Sequence, residues 1–356
     1  MNLEDVISTI NQLRHTYRNW LGLTFKMALY KFRLTKIAKA TGVLRDGLLV
    51  NGDYYRLLDL AILIEKLNQL GIPTELQENN IVIRLPSTTL QFKNESDFDI
   101  IYNLLSLIYF VIKYGLMIFN EVSELNGNFV RIDTNNMIIE SSDGSKFYVR
   151  YIDPWTFTET FILKIHDRFI ASFKGLKVLD VGAEFGDTSV HFARNGAEVI
   201  AIEPVSTNYN ALLQNLKLNE GIKVTPIKCA IGEDGEVTMF YKADRIDGSA
   251  SAFYKSEKKE EMVKSYSLSS LLDMLGLKEV DYLKMDCKGC ERYLSVEDLK
   301  RVKQLAKIEV TLNNVNELSE ILKRIKEAGF KKTYIIYHNP ELTTNIFLHN
   351  TIYAIR

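Results

Sequence analysis

Four things are scarce in this chain, and each absence narrows what it can be. Cysteine is the first: Cys229, Cys287 and Cys290 are the only three among 356 residues. They cannot build a disulfide framework, and such sparse usage suggests a reducing compartment. Charge of one sign is the second. The chain has 44 basic against 45 acidic residues, a net charge of −1, and nothing in that total calls for a polyanionic partner. Third, Met1-Asn-Leu-Glu-Asp5 has no basic region of the signal-peptide kind, so a cytoplasmic protein is expected. Fourth, no apolar run is unbroken. Asp99 to Phe119 approaches the roughly 20 residues that span a bilayer, but Asn103, Ser106, Lys113 and Gly115 interrupt it. A buried helix is expected there. What is present is a large core in prospect: 46% apolar and 11% aromatic residues make the chain globular, and its length suits two domains.

Lys177-Val-Leu-Asp-Val181 is an apolar run of strand length, followed by a turn bracketed by Gly182 and Gly186. Asp187 or Thr188 can cap the next helix, which ends at Asn195-Gly196. A second apolar strand, Glu198 to Ile202, ends in Glu203-Pro204. This is a βαβ unit with glycines at its first turn and an acid at the tip of its second strand, where an acid can hold both hydroxyls of a ribose. A dinucleotide site would read G-x-G-x-x-G, since a pyrophosphate needs backbone amides at the helix start. Here the spacing is Asp180-x-Gly182-x-x-x-Gly186, with Asp180 and Glu184 beside it. Two carboxylates suit a cationic sulfonium with an amino-acid tail better than a pyrophosphate, which points to S-adenosylmethionine (SAM). An α/β turn that binds nothing has the same outline.

Further on, Val280-Asp-Tyr-Leu-Lys-Met-Asp-Cys-Lys-Gly-Cys-Glu291, preceded by Ser267-Leu-Ser-Ser-Leu-Leu-Asp273, resembles the closing signature of the FkbM family of methyltransferases. Asp180 to Ser189 and Ala201 to Pro204 resemble its opening signature, and the likeness covers about residues 145–356. Two positions depart from it: Glu184 stands where the family usually has Asn, and Lys288 where it usually has Glu. The resemblance implies SAM-dependent O-methylation of a hydroxyl on a small acceptor, such as a sugar of a glycan, a glycolipid or a natural product. It implies a Rossmann-like α/β sheet of order 3-2-1-4-5-7-6 with its last strand antiparallel. The cofactor would then lie against Asp180, Gly182, Glu184, Gly186, Asp187, Thr188, Glu203 and Pro204, with Cys229 and Ala230 at the adenine edge. Asp286, delivered to the carboxyl edge by the fourth strand, would be the general base or a cofactor contact, with Lys284 and Glu291 orienting it. Glu309 and His338 would lie at the same edge.

The remainder organises around this domain. Residues 1–125 read as an accessory, mostly helical domain with a hairpin, and 126–356 as the methyltransferase domain with short N-terminal strands. Leu3–Leu13, Trp20–Ala40 and Tyr54–Leu70 have helical spacing, and Glu75 to Gln91 alternates as a hairpin. Between 11 and 50, Arg14, Arg18, Lys26, Lys31, Arg33, Lys36, Lys39 and Arg45 face a single acid, Asp46. With Trp20, Phe25 and Phe32 this stretch suits an anionic membrane surface or nucleic acid, or is a plain solvated face. Asp153 starts an entry helix running to about Phe173, with Asp153, Trp155 and Glu159 either facing the ligand or capping a turn. Arg245 to Phe253 and the charged run Lys255 to Lys264 form a loop, a substrate lid or a solvated excursion. Cys287-x-x-Cys290 is half a zinc motif that only Glu309 or His338 could complete. Small packing residues or a local disulfide are the alternatives, and no metal is expected. Three rival functions share these features: an RNA methyltransferase using the basic stretch, a nicotinamide-dependent dehydrogenase, and a non-catalytic scaffold.

Overall fold

The computed structural model describes residues 3–31, 39–43, 49–76, 80–85, 88–93, 98–119, 129–241, 246, 248–253, 259–312, 315–337 and 348–356. The chain divides into two compact units, 1–142 with 148–150, and 143–147 with 151–356. The division falls later than residue 125, so the strands from Phe129 to Ser141 belong with the first unit.

The first unit runs α1 (Leu3–Thr16), α2 (Trp20–Lys31), β1 (Lys39–Val43), β2 (Leu49–Asp53), α3 (Tyr54–Gln69), β3 (Thr74–Leu76), β4 (Asn80–Arg84), β5 (Thr89–Lys93), α4 (Phe98–Lys113), β6 (Met117–Phe119), β7 (Phe129–Asp133) and β8 (Ile138–Ser141). β1 pairs antiparallel with β2, so of the helix expected over Trp20–Ala40 the part Trp20–Lys31 is helical, while Lys39 and Ala40 lie in a strand. Glu75–Gln91 holds three strands, not one hairpin: β3, β4 and β5 pair antiparallel in that order. α4 buries Ile100, Ile101, Leu104, Leu105, Ile108 and Val111, the apolar stripe of an amphipathic helix. It is shorter than the segment read as one helix, because Gly115 takes φ +74° and ends it. Leu116 N–H donates to Val111 O (2.9 Å) and Gly115 N–H to Ile112 O (2.9 Å), the paired bonds of a Schellman ending. Among the described residues no helix is long and apolar enough to cross a membrane.

A short strand β9 (Lys146–Tyr148) leads into the second unit. There the sequence suggests one entry helix but the backbone makes three pieces: α5 (Pro154–Phe157), a π-helical turn (Thr158–Ile162) and a 3₁₀ turn (Ile165–Asp167). Asp153 caps α5, its carboxylate accepting from Trp155 N (2.8 Å) and Thr156 N (3.2 Å). Lys164 at φ +49° then breaks the spiral. The order continues as β10 (Lys177–Val181), α6 (Asp187–Arg194), β11 (Glu198–Ile202), α7 (Ser206–Lys217), β12 (Lys223–Ile227), β13 (Ala230–Ile231), β14 (Gly235–Tyr241), β15 (Lys259–Tyr266), α8 (Leu268–Met274), β16 (Val280–Met285), α9 (Val296–Lys300), β17 (Val302–Leu312), α10 (Val315–Glu327), β18 (Lys332–Tyr337) and β19 (Leu348–Ile355). Lys259 to Lys264 is thus strand, paired antiparallel with β14, rather than loop. The lid reading of residues 242–258 falls largely outside the described residues.

Seven strands form the central sheet in the order β12-β11-β10-β16-β17-β19-β18, with β19 antiparallel to both neighbours. β10 and β11 are each buried for four residues running because both faces are covered, as parallel strands require. Leu179, Val181, Ile200, Ile202, Leu283 and Met285 pack on one side with Leu271, Leu299, Ile321 and Ile325 of the helices. Val178, Val199, Tyr282, Leu305 and Tyr353 point to the other, against Phe173 and Phe192. Tyr282 and Tyr353 donate their hydroxyls to His166 O (3.2 Å) and Ile165 O (2.6 Å), tying the irregular entry segment onto that face.

His191 of α6 is buried between two acids, Nδ1 2.7 Å from Asp143 Oδ2 and Nε2 2.7 Å from Asp167 Oδ1. Burial alone favours the neutral ring, but the bonds to Asp143 and Asp167 outweigh it and raise the pKa from 6.5 to about 9. The pKa is higher folded than unfolded. The stabilisation, about 2–3 kcal/mol, is therefore complete below about pH 6.5 and fades as pH rises through about 9. His191→Gln should lower the melting temperature by several degrees at pH 6 and by much less at pH 10. An equal loss at both pH values in thermal melts would show that packing, not charge, is what His191 supplies.

Candidate active site

The carboxyl ends of β10, β11 and β16 lie side by side because their registers align Val181 with Ile202 and with Met285. The next residues are Gly182, Glu203 and Asp286, all drawn in by backbone bonds. Gly182 N–H donates to Ile202 O (3.0 Å), Glu203 N–H to Ile227 O (3.2 Å) and Asp286 N–H to Val181 O (2.9 Å).

Gly182 takes φ +77°, and a Cβ there would run into the Asp286 carbonyl oxygen. The glycine therefore lets two loops of the chain meet backbone to backbone, which differs from the expectation that it makes room for a ligand. A Val at this position would disrupt the fold of the edge before it blocked anything. Gly186 at φ +91° is the N-cap of α6 and lies against Leu212.

Asp180 is fully buried and faces inward. Its Oδ2 accepts from Thr188 Oγ1 and Ser189 Oγ, both at 2.6 Å, and its Oδ1 lies 2.9 Å from Lys284 Nζ. Lys284 also donates to Gly182 O (2.7 Å). Burial would strip its proton, but Asp180, Asp286 and Asp187 outweigh that and raise its pKa. Asp180, Thr188 and Lys284 are thus the internal brace of the turn. The cofactor contacts expected of Asp180 and Thr188, and the orienting of Asp286 expected of Lys284, would be made by groups that are also bonded to one another.

What faces the turn is acidic. Glu203 is buried, Oε2 accepting from Glu184 N (3.0 Å) and Oε1 from Val205 N (2.9 Å) and Asn208 Nδ2 (3.5 Å). Burial raises its pKa to about 7, against the lowering bonds from Val205 and Glu184. Asp187 Oδ2 accepts from Thr160 Oγ1, while Oδ1 is buried with no hydrogen-bond partner. Its pKa also rises to about 7, chiefly through burial. Glu184 is buried too. Burial first, then Asp153, Asp187 and Glu203, push its pKa well up. Pro204 is half-buried beside Glu203. Cys229 differs from its expected place at an adenine edge: it packs into the core, and burial pushes its thiol up to about 11. Ala230 pairs with Ser265 in β13 and packs with Val205 and Met239.

Across the edge, Lys288 Nζ lies 2.6 Å from Asp286 Oδ1 and 3.6 Å from Glu309 Oε1, joining β16 to β17. Asp286, Lys288 and Glu309 are therefore together, as the sequence order of the strands implied for the two acids. Glu291 is buried, its Oε2 accepting from Gly289 N (2.8 Å), and so shapes the turn that follows Asp286. Cys287 and Cys290 form a disulfide across that turn. This settles the C-x-x-C as a local bridge, and no group of three or more metal-ligating acids, His or Cys occurs among the described residues. His338 lies outside the described residues. Glu159, on the π turn, is buried near this cluster. Burial, Glu309 and Asp286 raise its pKa against the pull of Lys307 and Lys288. Lys307 escaped the sequence reading. Its signal was a lysine between Ala306 and Ile308, two residues before Glu309 on the same strand, and it lies fully buried with Nζ 3.5 Å from Glu309 Oε2.

Solved structures similar to this chain include two described as methyltransferases and one described in complex with AdoMet. TYW2 of M. jannaschii, in complex with AdoMet, is 16% identical over 65% of this chain and 87% of its own, with a TM-score of 0.36. An O-methyltransferase from Bacillus cereus, in complex with SAH, is 10% identical over 58% and 83%, with a TM-score of 0.37. Magnesium protoporphyrin IX methyltransferase from Synechocystis PCC 6803, with bound SAM, is 13% identical over 57% and 78%, with a TM-score of 0.34. No curated protein matches the chain in sequence. The model of the methyltransferase FkbM domain matches residues 180–332, from the inward-facing Asp180 to the first residue of β18. Over that stretch the chain is similar to the methyltransferase FkbM domain.

Proposed function

We propose that the second unit moves a methyl group from SAM to a hydroxyl of a small acceptor, a sugar or glycolipid being the class in view. The observation that supports this most is the clustering of Glu184, Asp187 and Glu203, all buried, at the ends of β10 and β11. Glu184 Oε1 and Asp187 Oδ1 lack hydrogen-bond partners. Such a set accepts hydrogen bonds and favours positive charge, and SAM offers ribose hydroxyls, an ammonium and a sulfonium. A nicotinamide dinucleotide would bring a pyrophosphate, which the same acids repel. The residues therefore fit SAM. Glu203 would hold the ribose, and the rest of the acidic set would favour the cationic end.

When bound, the cofactor supplies an electrophilic methyl whose S–C bond breaks as the new O–C bond forms. The acceptor's hydroxyl proton must leave as its oxygen gains the methyl. Asp286, at the carboxyl edge and partly open to solvent, is the group we assign to take it. Lys288, bridging Asp286 and Glu309, fixes the carboxylate in place. The two products are the methyl ether and S-adenosylhomocysteine (SAH), with one proton released through Asp286. The acceptor class rests on the family and this hydroxyl-directed acid, and no nucleic acid is invoked.

The first unit has a reading of its own. Leu21 and Phe25, one turn apart on α2, are 66% and 65% exposed, near the exposed Arg14, Arg18 and Lys26. This pairing of apolar and basic groups suits peripheral contact with an anionic membrane, where lipid-linked acceptors lie. In co-sedimentation, wild type should bind vesicles of phosphatidylcholine with phosphatidylserine, and Leu21→Ser with Phe25→Ser should bind severalfold less. Equal recovery of both proteins in the supernatant would end the membrane reading.

Calorimetry tests the cofactor assignment. SAM should bind and NAD should not, and Glu203→Ala should weaken SAM by about 1–3 kcal/mol through loss of a charged hydrogen-bond acceptor. Binding of NAD alone would replace a methyltransferase with a dehydrogenase. For the base, Asp286→Asn keeps size and polarity but cannot take the proton. Transfer of label from SAM into extract hydroxyl compounds should fall about 10²–10⁴-fold, with SAM affinity little changed. A fall confined to SAM affinity would move Asp286 from the acceptor to the cofactor.

A further inference from the structure

Glu184 combines four properties that no fold requirement explains together. Its backbone is left-handed, φ +48°, where side chains other than Gly, Asn and Asp are costly. Its side chain is only 6% exposed, and its Oε1 has no partner. Its nearest titratable neighbours are all acids: Asp153 at the start of α5, Asp187 at the start of α6, and Glu203 at the end of β11. Thr156 of α5 offers one neutral hydrogen bond. On the remaining side, Gly248 approaches so closely that a Cβ there would lie 3.2 Å from Oε1. A residue selected only to make this turn would be Gly or Asn, and neither would add a negative charge among three others.

We infer that Glu184 is the specificity determinant for the charge of the cofactor: its unpaired Oε1, buried among Asp153, Asp187 and Glu203, takes a positive centre of SAM. This rests on the SAM reading above and goes beyond it, because it says which part of the ligand one residue reads. The strained backbone is what brings the carboxylate to that place, since the same turn sends Glu184 N–H to Glu203 Oε2 (3.0 Å) and so couples the ribose acid to the cation acid. Local strain and buried like charge kept at a binding site mark a residue that costs stability for function.

Binding can test this with no acceptor present, using SAM, SAH and 5′-methylthioadenosine. SAM carries both a sulfonium and an α-ammonium, SAH only the ammonium, and 5′-methylthioadenosine neither. Glu184→Gln keeps the shape and removes the charge. In calorimetry it should weaken SAM by roughly tenfold to a hundredfold, the usual worth of a charge-assisted bond, and leave 5′-methylthioadenosine unchanged. Equal loss for SAM and SAH assigns the ammonium, and loss for SAM alone assigns the sulfonium. Either upholds the inference. Uniform loss for all three ligands, or none for any, overturns it. The unliganded Glu184→Gln protein should melt higher than wild type, since one of four crowded carboxylates is gone, and a lower melting temperature would also overturn it. Should that variant not fold, Glu184→Asn carries the same comparison. A wild-type protein that binds none of the three ligands defeats the SAM reading itself, whereas normal binding by Glu184→Gln defeats only this inference.

Discussion

The ion pair between Asp180 and Lys284 is the constraint on which the rest of the edge depends. The two residues face each other in the register of β10 and β16, and neither reaches solvent. A buried pair of this kind adds little net stability over an apolar pair, yet breaking one half leaves an uncompensated charge and costs several kcal/mol. Its value here is geometric. From Asp180 the bonds run to Thr188 and Ser189 in the first turn of α6, and from Lys284 to the carbonyl of Gly182. Two strands, one turn and one helix start are thereby fixed as a unit.

On that support the two halves of the cleft carry different charge. Toward β11, Glu184, Asp187 and Glu203 stand close together, and burial raises all three pKa values. Toward β17, Asp286, Glu309 and Glu159 are interleaved with Lys288 and Lys307, and each acid has a cation near it. In the first half acids crowd together, while in the second lysines are set between them. The position of Lys288 explains how a basic residue can stand at a place where an acid is usual: it ties the acids of two adjacent strands together. Its backbone, at φ +51°, is held by the Cys287–Cys290 bridge and by Ser251, whose hydroxyl donates to Lys288 O at 2.6 Å.

The parts of this architecture that could be read from sequence are those written in local pattern. β10, β11, β16 and β19 announce themselves as short apolar runs, and Glu203 and Asp286 follow strands whose ends must lie at one edge. Side-chain partnership was not legible. Asp180 reads as a ligand-facing acid, and only three-dimensional register shows that it meets Lys284 across the strand pair. Gly182 shows the same limit, because the group it makes way for is the backbone of residue 286, over a hundred positions away. The entry segment failed for another reason. Its apolar spacing is helical throughout, but the hydroxyls of Tyr282 and Tyr353 hold the carbonyls of His166 and Ile165 in an unwound path. That Lys307 and Glu159 both lie close to Glu309 needed the folded sheet to be seen.

The place of β19 has a consequence for how the molecule comes into being. β17 and β18 are made before it, yet they never pair with each other; β19 lies between them and bonds to both. While the chain is emerging, two long strands therefore wait with open hydrogen-bonding edges, each a template for strands of other molecules. Arg356 then closes the gap, donating to Val302 O, Ala328 O and Leu299 O. Assembly of the sheet is for this reason a late and nearly single event. The β17–β19–β18 side of the sheet is completed only when translation of β19 has finished.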